Sequence, residues 1–128
     1  LLALPTCTSE APYIHFDRDD AGRIVAVRQA REGDAMPPVG ESDAGLFALS
    51  ARAYFDLLPA FAHDAATGTS TRERNFLPAI PWLQERGPIV SSPVQDAIEA
   101  VGINTPEDLR RVEPALLARH APGPRPPR

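Results

Sequence analysis

Short apolar runs alternate with segments of helical periodicity along the whole chain, and this alternation limits the possible folds more than any single motif. "LLALPTC" (1–7) is an apolar run closed by Pro5 and reads as a buried strand, followed by a turn at "SEAP". "YIHFDRDDAGRIVAVRQ" (13–29) reads as a hairpin: Tyr13, His15 and Asp17 alternate with Ile14 and Phe16, and Gly22 is free to take a positive φ in the turn. "REGDAMPPVGESD" (31–43) has three Gly/Pro clusters and no periodicity, which predicts a loop. "AGLFALS" (44–50) predicts a strand, with Ser50 placed to cap a helix in which Tyr54, Leu57, Leu58 and Phe61 share a face. In "RERNFLPAIPWLQERG" (72–87), Phe76, Leu77, Ile80 and Leu83 keep helical spacing. Pro78 and Pro81 impose a kink or a late start, and Gly87 suits a C-cap. "PIVSS" (88–92) reads as strand, and "VQDAIEAVGI" (94–103) as a second extended segment. "TPEDLRRVEPALLARH" (105–120) predicts a helix with Thr105 as N-cap, Pro106 at N1 and Asp108 in the capping-box position. Its expected buried stripe is Leu109, Val112 and Leu116.

This order predicts an α/β layered domain. The few helices cannot cover both faces of a parallel sheet, so further chain is expected to complete the fold. The start "LLALPT" has no Met, no charged n-region and no cleavage-site pattern. It reads as a strand entered midway, not as a signal peptide. Residues 1–118 are expected to form part of one domain and 119–128 a disordered Pro-rich tail.

Composition narrows the function classes. The net charge of −4 argues against a basic nucleic-acid surface. All 13 basic residues are Arg. One cysteine, Cys7, excludes an internal disulfide and a multi-Cys metal site, and His15, His63 and His120 lack metal-ligand spacing. No apolar run approaches the ~20 residues of a membrane span, and a cytoplasmic location is expected. Ser91 and Ser92 have no recognisable His–Asp partners. Arg18, Arg23, Arg28 and Arg31 read as a solvated hairpin face, although phosphate contact is open to them, and Arg72 and Arg74 sit near an expected helix start.

Asn104 poses a sharper question, because it stands where an expected strand hands over to a helix. Ligands of open α/β sheets bind beyond the carboxyl ends of strands. An Asn oxygen there is a hard neutral ligand suited to Mg²⁺, which takes only one or two protein ligands. The alternative is that Asn104 simply makes the turn before Thr105.

"EAVGINTPEDL" (99–109) resembles the C-terminal motif of the sugar-1-phosphate nucleotidyltransferases, roughly E-x-x-G-[VI]-N-[TN]-x-x-[DQ]-L. The likeness is greatest to the uridylyltransferase half of the bifunctional N-acetylglucosamine-1-phosphate enzymes and to the molybdenum-cofactor guanylyltransferase-like clan. "PYIHFDRDDAGRIVAVRQ" is similar to the family's hairpin, "GESDAGLFAL" to its E-[IV]-N-T-G strand, and "RERNFLPAIPWLQERG" occupies the place of its "GEYYLTDII" helix.

The resemblance implies the C-terminal half of a Rossmann-like nucleotidyltransferase domain, a mixed sheet with flanking helices and a β-hairpin. It implies magnesium as cofactor with Asn104 as a ligand, and Asp43, Glu41 and Gln29 as acceptor-binding residues, Glu32 taking the place of Gln29 if the register slips. Asp43 stands where the family has Asn, Gln29 where it has Glu, and Ile14 where it has Gly, so a different sugar or acceptor is implied. The family's Gly-rich phosphate loop and its Gly-Asp carboxylate are absent from these residues. The implied activity is transfer of a nucleotidyl group from an NTP to a sugar phosphate or related acceptor, in sugar-nucleotide biosynthesis. This chain would be an acceptor-side half with no catalytic residue of its own, inactive alone and open to self-association. The competing expectation is a non-catalytic binding or regulatory module that keeps the half-fold.

Overall fold

The structure, a computed structural model, describes residues 1–64 and 67–120. Its organising element is β1 (Leu2–Glu10), which runs straight through Pro5, where the sequence predicted its end. On one side β1 pairs in parallel with Ile89–Pro93. On the other it pairs antiparallel with Val39–Asp43, through Thr6–Glu10, and with Ala48–Leu49, through Leu2–Ala3. The antiparallel neighbour is thus interrupted opposite Leu4 and Pro5. Proline has no N–H to give a ladder, so the break falls where one partner cannot donate, and the Pro5 carbonyl still accepts from Ala44 N–H at 3.0 Å. In chain order, the hairpin strands are β2 (Ile14–Arg18) and β3 (Ile24–Gln29), Val39–Asp43 is β4, Ala48–Leu49 is β5 and Ile89–Pro93 is β6.

The hairpin forms as predicted, as a separate two-stranded sheet. Gly22 takes φ +77° in its turn, and Asp19 Oδ1 accepts from the Ala21 and Arg23 amides at 3.0 and 2.9 Å. Two expectations need correction nearby. The 31–43 segment is not all loop, because β4 occupies its end, drawn in by the free edge of β1. "AGLFALS" contributes only the two residues of β5.

Ser50 caps the next helix as expected, its Oγ accepting from Ala53 N–H at 3.1 Å. The helix opens with a π-helical stretch, Ala53–Leu57, before α1 (Leu58–Asp64). Pro59 explains the wide turn: it lacks the N–H that would continue the α pattern, and Leu58 N–H bonds instead to the Ala53 carbonyl. The buried residue of this stretch is Ala53, whereas Tyr54, expected on the apolar face, is exposed. Helix α2 (Ala79–Gln84) starts late, as its prolines require. Glu85 caps its end. Gly87 is not left-handed and only donates back to the Leu83 carbonyl at 3.1 Å.

Leu2, Leu4, Phe16, Ile24, Ala53, Ile80 and Leu83 form the core. Alternation along β1 sends Leu2, Leu4 and Thr6 to this side. Its other face, with Ala3, Leu46, Ala48 and Val90, lines an open apolar groove. The last helix, α3 (Pro106–His120), forms with its expected cap, Thr105 N–H donating to Asp108 Oδ2 at 2.8 Å and Asp108 N–H to Thr105 Oγ1 at 3.2 Å. Of the stripe expected to be buried, Val112 is half-buried, whereas Leu109 is 49% and Leu116 54% exposed. Ion pairs from Arg119 to Asp96 (3.0 Å) and Glu99 (3.1 Å) fasten the helix. It runs to His120, and the rest of the expected tail lies outside the described residues. The chain is therefore a mixed α/β fold with a mixed sheet and flanking helices.

Candidate functional site

The extended segment expected before Asn104 does not form. After β6 the last ladder bond is Val94 N–H to the Thr6 carbonyl at 2.8 Å. Asp96 then turns the chain, its Oδ1 accepting from Ile98 N–H at 3.1 Å, and Ala97–Ala100 makes a 3₁₀ turn. Asn104 thus sits on an irregular connection ahead of α3, not at a strand end. Its backbone N–H is spent on Asp108 Oδ2 at 3.1 Å. Its side-chain amide makes no hydrogen bond among the described residues. A Cβ on Gly102 would stand 3.2 Å from Asn104 Nδ2, so a residue this small at 102 leaves room for the amide.

The Asn104 side chain lies where two clefts meet. One, of about 660 Å³, runs along β1 and includes Cys7, Asp43, Asn104 and Arg111. The other, of about 590 Å³, lies against the hairpin and includes Gln29, Arg31, Glu32, Asn75 and Asn104. Tyr13, Ile14 and Asn104 belong to both. Of the four residues nominated from sequence, Gln29 lines the hairpin-side cleft, Asp43 the cleft along β1, and Asn104 both. Asp43 Oδ1 accepts from Gly45 N–H at 2.9 Å, which leaves Oδ2 for another donor.

Glu41 is placed elsewhere. Both its oxygens accept from Arg18, Nε to Oε2 and Nη2 to Oε1, each at 2.7 Å. The Arg18 guanidinium holds the Glu41 carboxyl below the usual glutamate range, against the opposing effect of burial, and Thr6 adds a further hydrogen bond. Arg18 Nη2 also donates to Ser91 Oγ at 2.9 Å and Nη1 to the Gly22 carbonyl at 2.6 Å. One guanidinium thus ties the hairpin to β4 and β6, a bidentate role that a flexible ammonium could not fill. On sequence Arg18 was grouped with a solvated face, because its partner is supplied by a different strand.

Glu32, the alternative to Gln29, is also engaged. It accepts from Thr71 Oγ1 at 2.6 Å, Ser70 N–H at 2.9 Å and Thr69 Oγ1 at 3.4 Å. These bonds, led by the Thr71 hydroxyl, hold its carboxyl below the usual range. Arg72 and Arg74 do not flank a helix start, since α2 begins at Ala79.

Sequence reasoning missed Asn75. Its Oδ1 accepts from Leu77 N–H at 3.0 Å, and its Nδ2 donates to Gln29 Oε1. An Asn just ahead of a proline-delayed helix was the available signal.

The residues present allow a divalent cation one neutral oxygen, from Asn104. Among the described residues no group of three or more His, Cys, Asp and Glu could hold a metal ion. No described helix is long and apolar enough to cross a membrane. The chain matches no protein-family model and no curated protein.

Proposed function

We propose that this chain forms the acceptor-binding half of a magnesium-dependent nucleotidyltransferase with a Rossmann-like domain, as the "EAVGINTPEDL" resemblance implies. The observation that supports the reading is that Asn104 lines two clefts that meet at it, one also lined by Gln29 and the other by Asp43, the three residues having been nominated from three separate motifs.

In this reading the acceptor is a sugar phosphate. The free Asp43 Oδ2 accepts a hydrogen bond from a sugar hydroxyl. Arg111, on the same cleft with no hydrogen-bond partner among the described residues, receives the phosphate. Tyr13, 79% exposed between the two clefts, offers a ring face to the sugar. A phosphate oxygen so positioned attacks the α-phosphorus of an NTP, the bond to the bridging oxygen breaks, and pyrophosphate leaves. These side chains contribute position. Asn104 would offer its amide oxygen to magnesium, whose chemistry when bound is to neutralise phosphate charge.

Calorimetric titration with glucose 1-phosphate tests the reading. Binding weakened at least tenfold by Asp43→Ala and by Arg111→Ala is expected. The chain alone is expected to release no pyrophosphate from an NTP and glucose 1-phosphate. Absence of any binding, checked by amide shift perturbation around Tyr13, Asp43 and Asn104, would sink the proposal.

A further inference from the structure

The Glu32 carboxylate sits in a turn that meets it with hydrogen-bond donors alone. Thr71 Oγ1 donates to Oε1 at 2.6 Å, and Ser70 N–H and Thr69 Oγ1 donate to Oε2 at 2.9 and 3.4 Å. The backbone aims the Thr71 hydroxyl: its oxygen accepts from Glu73 N–H at 3.2 Å, so its proton is left for whatever fills the turn. The turn also closes on itself. Gly68 N–H donates to the Glu73 carbonyl at 2.9 Å and Arg72 N–H to the Gly68 carbonyl at 3.0 Å. Neither bond involves Glu32, so the donors are arranged without it.

Gly68 provides the room. A Cβ there would stand 2.7 Å from Thr71 Oγ1 and closer still to Glu32 Oε1, and the Gly68 backbone is not left-handed. This position therefore needs the missing side chain, not the conformational freedom, and the space it leaves admits an anionic oxygen. Arg72 and Arg74 flank the cradle. Both are exposed, and neither guanidinium has a hydrogen bond or ion pair among the described residues. Arg31 lines the adjoining cleft with Thr71 and Glu73. With Glu32 swung out, three guanidiniums stand near the turn against the one carboxylate of Glu73, although the chain as a whole carries −4. A phosphate group has the oxygens to accept from all three donors and the charge to pair with arginine.

We infer that the 68–74 turn is a phosphate site held closed by Glu32, whose carboxylate is an autoinhibitory stand-in for the phosphate group. This goes beyond the acceptor-binding reading and does not rest on it, because Asp43 and Arg111 take no part. The turn walls the hairpin-side cleft through Thr71 and Glu73, and a smaller cleft of about 320 Å³ through Thr67, Gly68 and Thr69. Phosphate can therefore arrive as the free ion or on a larger molecule lying in either cleft.

The wild type and Glu32→Ala are titrated with inorganic phosphate and, separately, with glucose 1-phosphate, at fixed ionic strength, while the Ser70 amide resonance is followed by NMR. Glu32→Ala is expected to bind at least tenfold more tightly than the wild type, because no resident carboxylate competes. Phosphate is also expected to slow proteolytic cleavage of that variant within 67–74. Gly68→Ala, which fills the cradle, and Thr71→Val, which removes a donor and keeps both arginines, are each expected to weaken binding at least tenfold when added to Glu32→Ala. Either one checks the result if the other folds poorly. A response to inorganic phosphate supports the site with the free ion as ligand, and a response to the ester alone supports it with the phosphate carried on a larger molecule. No Ser70 shift with either probe overturns the inference. So does equal affinity in the wild type and Glu32→Ala, or binding indifferent to Gly68→Ala and Thr71→Val, which would leave only surface attraction to arginine.

Discussion

Arg18 and Glu41, twenty-three residues apart, face each other through two parallel N–H···O bonds of 2.7 Å, and this pair joins the hairpin to the main sheet. Arg18→Ala removes both bonds together with those to Ser91 and Gly22 and leaves a half-buried carboxylate without its partner. We expect a loss of about 2 kcal/mol, in line with charged hydrogen bonds generally, read from urea denaturation.

The same pair predicts a pH dependence. The Glu41 carboxyl is held below its ordinary range in the folded protein, chiefly by the Arg18 hydrogen bonds. Its contribution is therefore fully present above the unfolded glutamate pKa and is lost as pH falls through the lower, folded value. Glu41→Gln should be less stable than wild type at neutral pH. The gap should narrow as the solution is acidified, because wild-type Glu41 then also becomes neutral. A gap independent of pH would contradict the assignment.

Glu32 makes a related prediction about order in one loop. Its carboxylate gathers the hydroxyls of Thr69 and Thr71 and the amide of Ser70. Glu32→Ala should speed proteolytic cleavage within 67–74 severalfold while leaving cleavage elsewhere unchanged. Acidification through the depressed Glu32 pKa should act in the same direction on the wild type, because protonation weakens the acceptor.

Asn104 and its neighbour Thr105 should respond in opposite ways. Asn104 has an unengaged side-chain amide, so Asn104→Ala should barely move the melting temperature. It should weaken the magnesium-dependent part of glucose 1-phosphate binding more than tenfold, above about 1.4 kcal/mol. Thr105→Ala removes the cap from α3, should cost about 1 kcal/mol, and should leave the magnesium response unchanged. A fall in melting temperature shared by both variants, with magnesium response intact in both, would make Asn104 a turn residue only.

A core–surface pair checks the layering. Ile80 is fully buried, and Ile80→Ala should cost about 2–5 kcal/mol. Val90 is 64% exposed on the open face of the sheet, and Val90→Ser should stay within about 0.5 kcal/mol. Thermal or urea melts of the two variants distinguish the faces.

The sequence by itself determined what depends on neighbouring residues. The hairpin turn around Asp19 and Gly22, the Ser50 cap, the late start of α2 and the Thr105–Asp108 capping box were all legible, because each is closed by groups within a few positions. So was the alternation that makes the fold α/β, and three residues of the candidate site could be nominated from motifs. What needed a partner from far along the chain was not legible. β4 forms because the edge of β1 offers it a ladder, whereas residues 97–100 turn because Asp96 offers a nearer carboxylate. The burial of Leu109 and Leu116 was expected from spacing alone, but spacing does not supply a surface to pack against. Tertiary structure also decided which carboxylates are engaged. Glu41 faces Arg18 and Glu32 faces the 69–71 loop, whereas Asp43 keeps an oxygen free, and Asn75 meets Gln29 across forty-six residues. A hydrogen-bonding side chain takes whichever partner the fold brings within about 3 Å, and chain order does not encode that distance.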